Sequence, residues 1–195
     1  MSKPITLIDD GLSCVEVYSD WLDNADACFE KLLQEIDWKY REITLFGTQH
    51  TIPRKEAWVG EKGIAYRYSG HTYIANGWPE GLIKLPKLIN RHFGWQANSA
   101  LLNYYADGQQ SMGWHSDNEP ELGVDPTIVI LSLGESRTLQ LRHKSEKSKK
   151  HAIDLAHGSL LVMSKETQQN WQHAIPKRMK VKQPRISCTF RCVKS

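Results

Sequence analysis

From Leu101 onward the chain breaks into a succession of short strand-like segments, and no other feature of the sequence restricts its fold as much. Leu101 to Tyr105, Thr127 to Leu133, Thr138 to Arg142, Ile153 to Leu155, Ser159 to Met163 and Arg185 to Cys192 all read as strands separated by turn residues. Two helical patterns precede them. Asn24 is placed to cap a helix carrying Ala25, Phe29, Leu32, Leu33 and Ile36 on the i, i+4, i+7, i+8, i+11 stripe. Pro79 suits the first turn of a second helix, with Leu82, Leu85, Leu88 and Ile89 on one side, Pro86 kinking or splitting it and Gly94 as its C′ residue. Between them, Tyr40 to Arg67 is punctuated by Gly47, Pro53, Gly60 and Gly63 and reads as hairpins or extended loops. Helices first and many short strands after predict an α+β fold, a double-sheet antiparallel barrel with helices packed outside.

Alternation along these strands sorts side chains to two faces. Arg185, Ser187, Thr189 and Arg191 share one face of the last strand, and Ile186, Cys188, Phe190 and Cys192 share the other. Arginines inside an apolar strand are costly to bury unpaired, so either internal carboxylates meet them or they grip an anionic ligand bidentately. Asn103 and Tyr105 likewise share a face, opposite Leu102 and Tyr104. His115 and Asp117 are two apart, which in a strand places both on one face, either as a hydrogen-bonded pair or as two metal ligands. His173 lies 56 positions after Asp117, in a segment suited to bring a third ligand from a later strand. Two histidines and one carboxylate leave open positions on a metal, the facial arrangement of non-haem Fe(II) oxygenases. The same residue types also bind zinc, but a hydrolytic zinc site leaves the two inward arginines without a task.

Charge is unevenly spread: Lys and Arg number four against ten acidic residues in 1–50, seven against nine in 51–136, and fourteen against three in 137–195. A C-terminal third carrying +11 is either a soluble surface or a face for a polyanion such as nucleic acid. Cys14, Cys28, Cys188 and Cys192 have neither metal-binding nor secreted-scaffold spacing and read as reduced thiols. The first residues lack a signal-peptide core and no run of about eighteen apolar residues occurs, so we expect a soluble protein of bacterial cytoplasm or nucleus, without a membrane partner.

Together these pieces resemble the AlkB family of Fe(II)- and 2-oxoglutarate-dependent dioxygenases. The resemblance rests on Asn103-Tyr104-Tyr105, His115-Ser116-Asp117, Gly158-Ser159-Leu160-Leu161, Trp171-Gln172-His173 and the Arg-x3-Thr-x-Arg pattern of Arg185 to Arg191. It extends upstream to Pro53-Arg54-Lys55 and Tyr68-Ser69-Gly70, covers roughly residues 40 to 192, and is strongest toward the animal nuclear DNA-repair homologues and their bacterial relatives. It implies a double-stranded β-helix, or jelly roll, in one domain over 1–195, with helices and nucleotide-recognition hairpins in 1–98 and the catalytic core in 99–195. It implies that His115, Asp117 and His173 hold Fe(II), and that Asn103, Tyr105, Arg185, Thr189 and Arg191 hold 2-oxoglutarate. Dioxygen is then the oxidant, and the reaction demethylates N-alkylated bases such as 1-methyladenine and 3-methylcytosine in DNA, releasing succinate and formaldehyde.

On the substrate side the resemblance implies contacts from Arg54, Tyr68, Ser69, Asn118 and Glu119, acting as a monomer on DNA or RNA. Asn118 stands where the nearest relatives carry an acid, and Tyr68 where they carry Phe. Leu45-Phe46-Gly47 suits a hairpin tip whose Phe46 either inserts into a base stack or folds onto the core. A protein or small-molecule hydroxylase on the same barrel is the competing enzyme reading, and a degenerate, non-catalytic barrel is the third.

Overall fold

The computed structural model describes residues 3–45, 48–68 and 71–194. In chain order it forms β1 (Ile5–Asp9), β2 (Ser13–Tyr18), α1 (Ala25–Glu35), β3 (Lys39–Leu45), β4 (Thr48–Gly60), β5 (Ala65–Tyr68), β6 (His71–Ile74) and α2 (Leu85–Phe93). There follow β7 (Ser99–Tyr105), β8 (Met112–His115), β9 (Ile128–Gly134), β10 (Arg137–His143), β11 (Lys150–Leu155) and β12 (Leu160–Lys165). The short α3 (Thr167–Asn170), β13 (Trp171–Ile175) and β14 (Arg185–Arg191) complete the chain. Among the described residues, eight strands make a large antiparallel sheet in the order β1-β2-β12-β9-β14-β7-β4-β3, and four make a small one in the order β11-β10-β13-β8. The two sheets face each other as the layers of a jelly roll.

The expected alternation decides which core each side chain enters. Ile186, Cys188 and Phe190 of β14, Leu131 and Leu133 of β9 and Leu102 of β7 join one cluster, which Cys28 and Leu32 of α1 and Leu85 and Ile89 of α2 cover from outside. Their neighbours Ile130, Leu161 and Tyr105 face inward and pack with Leu139, Leu141 and Trp171 of the small sheet. A strand covered on both faces loses solvent on every residue, and all seven positions of β14 are buried. Each fully buried Leu or Phe contributes about 1.5–3 kcal/mol, so the helices stabilise the large sheet without touching the inter-sheet space.

One local expectation needs correction. The second helix begins at Leu85, not Pro79: Pro86 occupies its first turn, where a missing N–H costs nothing, and the residues before it form turns, so Pro86 splits the expected helix rather than kinking it. Gly94 does close it, in the left-handed conformation at φ 63°. The strands β1 and β2 carry no strong sequence signal and owe their pairing to β12, along which β2 runs from Leu160 opposite Tyr18 to Lys165 opposite Ser13. In β4, Pro53 sits where the pairing to β3 slips between Thr51 and Lys55, so its missing donor interrupts no ladder.

Candidate active site

Asp117 reaches its place by a different route from the one alternation suggests. The strand β8 ends at His115, so Asp117 stands in the irregular segment just beyond it and is pinned by side chains. Its backbone N–H donates to Gln168 Oε1 at 2.9 Å, and the Ser116 hydroxyl donates to the Trp171 carbonyl at 2.8 Å. Both anchors come from the α3–β13 segment that also carries His173. His173 pairs directly across the sheet from His115, and their rings lie 4.1 Å apart, centroid to centroid. Ligand atoms of His115, Asp117 and His173 all fall within 4.8 Å of one another. Burial first, then the neighbouring His115, pulls the His173 pKa down to about 3, which leaves a neutral imidazole able to bind metal. Burial works against the Asp117 charge, but Arg191, His173 and His115 outweigh it and hold its pKa below the usual carboxylate range.

The inward face of β14 supplies the cations. Arg191 Nη2 donates to Asp117 Oδ1 at 2.5 Å, and its Nη1 donates to the Tyr66 hydroxyl at 2.6 Å. Arg185 donates through Nε to Ser132 Oγ at 3.0 Å. Its Nη1 and Nη2 are buried and, among the described residues, have no hydrogen-bond partner. Burial draws its pKa down to about 10, with Tyr105 acting in the opposite direction. Two guanidinium groups lie over the Tyr105 ring, Arg185 at 5.4 Å and Arg137 at 5.5 Å from its centroid. Arg137 in turn donates to the carbonyls of Asp107, Gln110 and Pro176, which ties two loops to the end of the cavity. Asn103, Tyr105, Arg185, Thr189 and Arg191 line one cavity with the three-residue cluster. Two buried cations at its wall and one carboxylate oxygen, Asp117 Oδ2, with no hydrogen-bond partner among the described residues and 3.7 Å from His173 Nε2, fit a metal bound beside an anion.

On the outer side Tyr66 stacks on Trp58 with ring centroids 4.4 Å apart, and its hydroxyl donates to Glu119 Oε1 at 2.6 Å. Asn118 is exposed next to this pair. Arg54 is buried and faces the interior, pairing with Glu56 at 2.6 Å and donating to Asn103 Oδ1 at 2.7 Å. Tyr68 is the last residue of β5, while Phe46 and Ser69 lie outside the described residues. Sequence reasoning passed over Tyr66, Arg137 and Gln168. None of the three carries a local signal of its role, since each acts on residues distant in sequence.

The sequence model of the 2OG-Fe(II) oxygenase superfamily matches residues 15–191. Alpha-ketoglutarate-dependent dioxygenase alkB homolog 3 from Mus musculus is 37% identical over 200 residues, which cover 97% of this chain and 69% of that protein. The chain belongs to the AlkB family. DNA oxidative demethylase ALKBH2 from Bos taurus is 34% identical over 192 residues, covering 93% of this chain and 69% of that one. The solved structure of OsALKBH1 superposes with a TM-score of 0.66 at 14% identity, over 96% of this chain and 100% of its own, a likeness of fold. A 2OG-Fe(II) oxygenase of the AlkB family requires Fe(II), 2-oxoglutarate and dioxygen, and the two-histidine, one-carboxylate cluster beside an unmatched guanidinium fits that set. No helix among the described residues is long and apolar enough to cross a membrane.

Proposed function

We propose that the protein oxidatively removes alkyl groups from damaged bases of DNA, with 1-methyladenine and 3-methylcytosine as substrates, and acts as a monomer. One observation carries this reading: Arg185 presents two unmatched, buried guanidinium nitrogens to the cavity that holds the His115–Asp117–His173 cluster. The curated relatives add the substrate class, since one is named DNA oxidative demethylase ALKBH2. In this reading His115, Asp117 and His173 hold iron, while Arg185, Asn103, Tyr105, Thr189 and Arg191 hold 2-oxoglutarate. When bound, iron and cosubstrate supply oxidation of an N-methyl group by dioxygen, with 2-oxoglutarate leaving as succinate and carbon dioxide and the methyl carbon as formaldehyde.

The chain's own residues do the positioning. Arg185 offers a planar fork to a carboxylate, a geometry lysine cannot reproduce. Arg191 keeps Asp117 ionised and Gln168 fixes its backbone, so the carboxylate enters the cluster already oriented. Tyr66 and Glu119 form a polar wall where a flipped base would meet the pocket, and we assign Tyr68, Ser69 and Asn118 as further contacts to that base. An N-methylated base has lost its pairing edge and is cheaper to extrude. The test is incubation with Fe(II), 2-oxoglutarate and methylated DNA or RNA oligonucleotides. The expected result is formaldehyde and succinate in equal amounts, fastest with DNA. Release with RNA alone would move the substrate to RNA, and release with peptides but no oligonucleotide would replace this reading with a protein hydroxylase.

A further inference from the structure

We infer that Arg54 and Glu56 are positioning residues for the cosubstrate, with Arg54 setting which end of the Asn103 amide faces the 2-oxoglutarate pocket. The inference rests on the assignment of Asn103 to 2-oxoglutarate. A carboxamide presents an acceptor at one end and a donor at the other, and the two orientations occupy the same space. Against an anionic ligand they differ in sign: the NH2 end attracts a carboxylate and the oxygen end repels it. In this protein the choice is forced. Arg54 Nε is a donor only, and it meets Asn103 Oδ1 at 2.7 Å in a buried setting, so the oxygen must turn toward Arg54 and Nδ2 toward the cavity. Among the described residues Asn103 Nδ2 has no hydrogen-bond acceptor of its own, which leaves it for a ligand.

Arg54 is itself fixed. Its Nη2 donates to Glu56 Oε1 at 2.6 Å, with the two side chains 5% and 3% exposed. Glu56 faces Asn103 directly across the ladder, and Asn103 faces Ser187 of β14, so the pair sits in the same row of side chains as the cosubstrate wall. A guanidinium this enclosed has no path to a DNA phosphate. Arg54 also sits where the β3–β4 pairing slips, which lets its side chain fold back along the sheet toward β7.

The test is a double-mutant cycle on Arg54→Met and Asn103→Ala, both in a Glu56→Gln background so that no carboxylate is stranded. The readout is calorimetric titration of 2-oxoglutarate into the Mn(II)-loaded protein. Loss of a buried, charge-assisted orientation should weaken 2-oxoglutarate by about tenfold when Asn103 is present and by less than about twofold when it is alanine. Equal weakening with and without Asn103 overturns the inference. Unchanged 2-oxoglutarate affinity together with weaker binding of a methylated oligonucleotide overturns it too, and makes Arg54 a substrate contact. If Asn103→Ala alone leaves 2-oxoglutarate binding intact, Asn103 does not hold the cosubstrate, and the inference falls with that assignment. Should the Arg54 variants not fold, Glu56→Gln alone decides: it should raise the 2-oxoglutarate Kd by about two- to threefold, and no change overturns the inference.

Discussion

Asp117 serves two partners, and its removal should show both. It belongs to the His115–Asp117–His173 cluster proposed to hold iron and is also the carboxylate that Arg191 meets at 2.5 Å. Asp117→Ala is expected to abolish turnover and, because it breaks a buried ion pair, to lower stability by about 3–5 kcal/mol. Succinate release and denaturant unfolding on the same preparation check the two effects, and a fully stable but inactive variant would remove the structural half. Arg185→Lys should be severe for a different reason. Its fork has no protein carboxylate among the described residues, so lysine leaves the fold intact but costs about 1.5–3 kcal/mol of cosubstrate binding. The signature is a raised KM for 2-oxoglutarate with an unchanged melting temperature. If that KM holds while DNA affinity drops, Arg185 contacts phosphate.

At the scale of elements, β9 and β14 meet at a point where backbone geometry controls the site. Gly134 ends β9 with φ 83°, lies opposite Arg185 in the ladder, and leaves room for a Cβ only at 2.5 Å from the Pro184 carbonyl. Gly134→Ala is therefore expected to cost about 1–3 kcal/mol of backbone strain, with a further penalty from pushing Pro184 away. Because Arg185 follows Pro184 directly, 2-oxoglutarate affinity should fall along with stability. A variant with wild-type melting temperature and wild-type 2-oxoglutarate affinity would contradict this account. The element α3 shows the same dependence of chemistry on supporting structure: four residues long, it places Gln168 behind Asp117 and leads straight into the strand carrying His173.

For the whole molecule, the open question is how a lesion leaves a duplex. Phe46, outside the described residues, falls in sequence between β3 and β4, which pair at the edge of the large sheet. A wedge matters only where a stack must be refilled. Phe46→Ala should then depress repair of methylated double-stranded DNA far more than repair of the same lesion in a single strand, with little change in stability. A core role predicts equal impairment on both and a loss of about 3–5 kcal/mol. The duplex-to-single-strand activity ratio of this variant, measured beside its melting temperature, separates the two.

Local pattern determined much of this protein. Alternation in Arg185 to Arg191 separates the residues of the cavity from those of the helix-covered core, and the same rule pairs Asn103 with Tyr105. Period-2 order is a property of the chain itself, so it survives without knowledge of what packs against it. Tertiary structure alone decided the rest. Asp117 lies beyond its strand and enters the cluster because Gln168 and Trp171, some fifty residues on, hold the segment that carries it. Arg54 looks like any exposed cation in its own stretch and is buried only because β4 pairs with β7. Tyr66 becomes part of the site only when Arg191 and Glu119 close on its hydroxyl. These are contacts between residues far apart in sequence, set by sheet pairing and loop closure, and no local window of sequence encodes them.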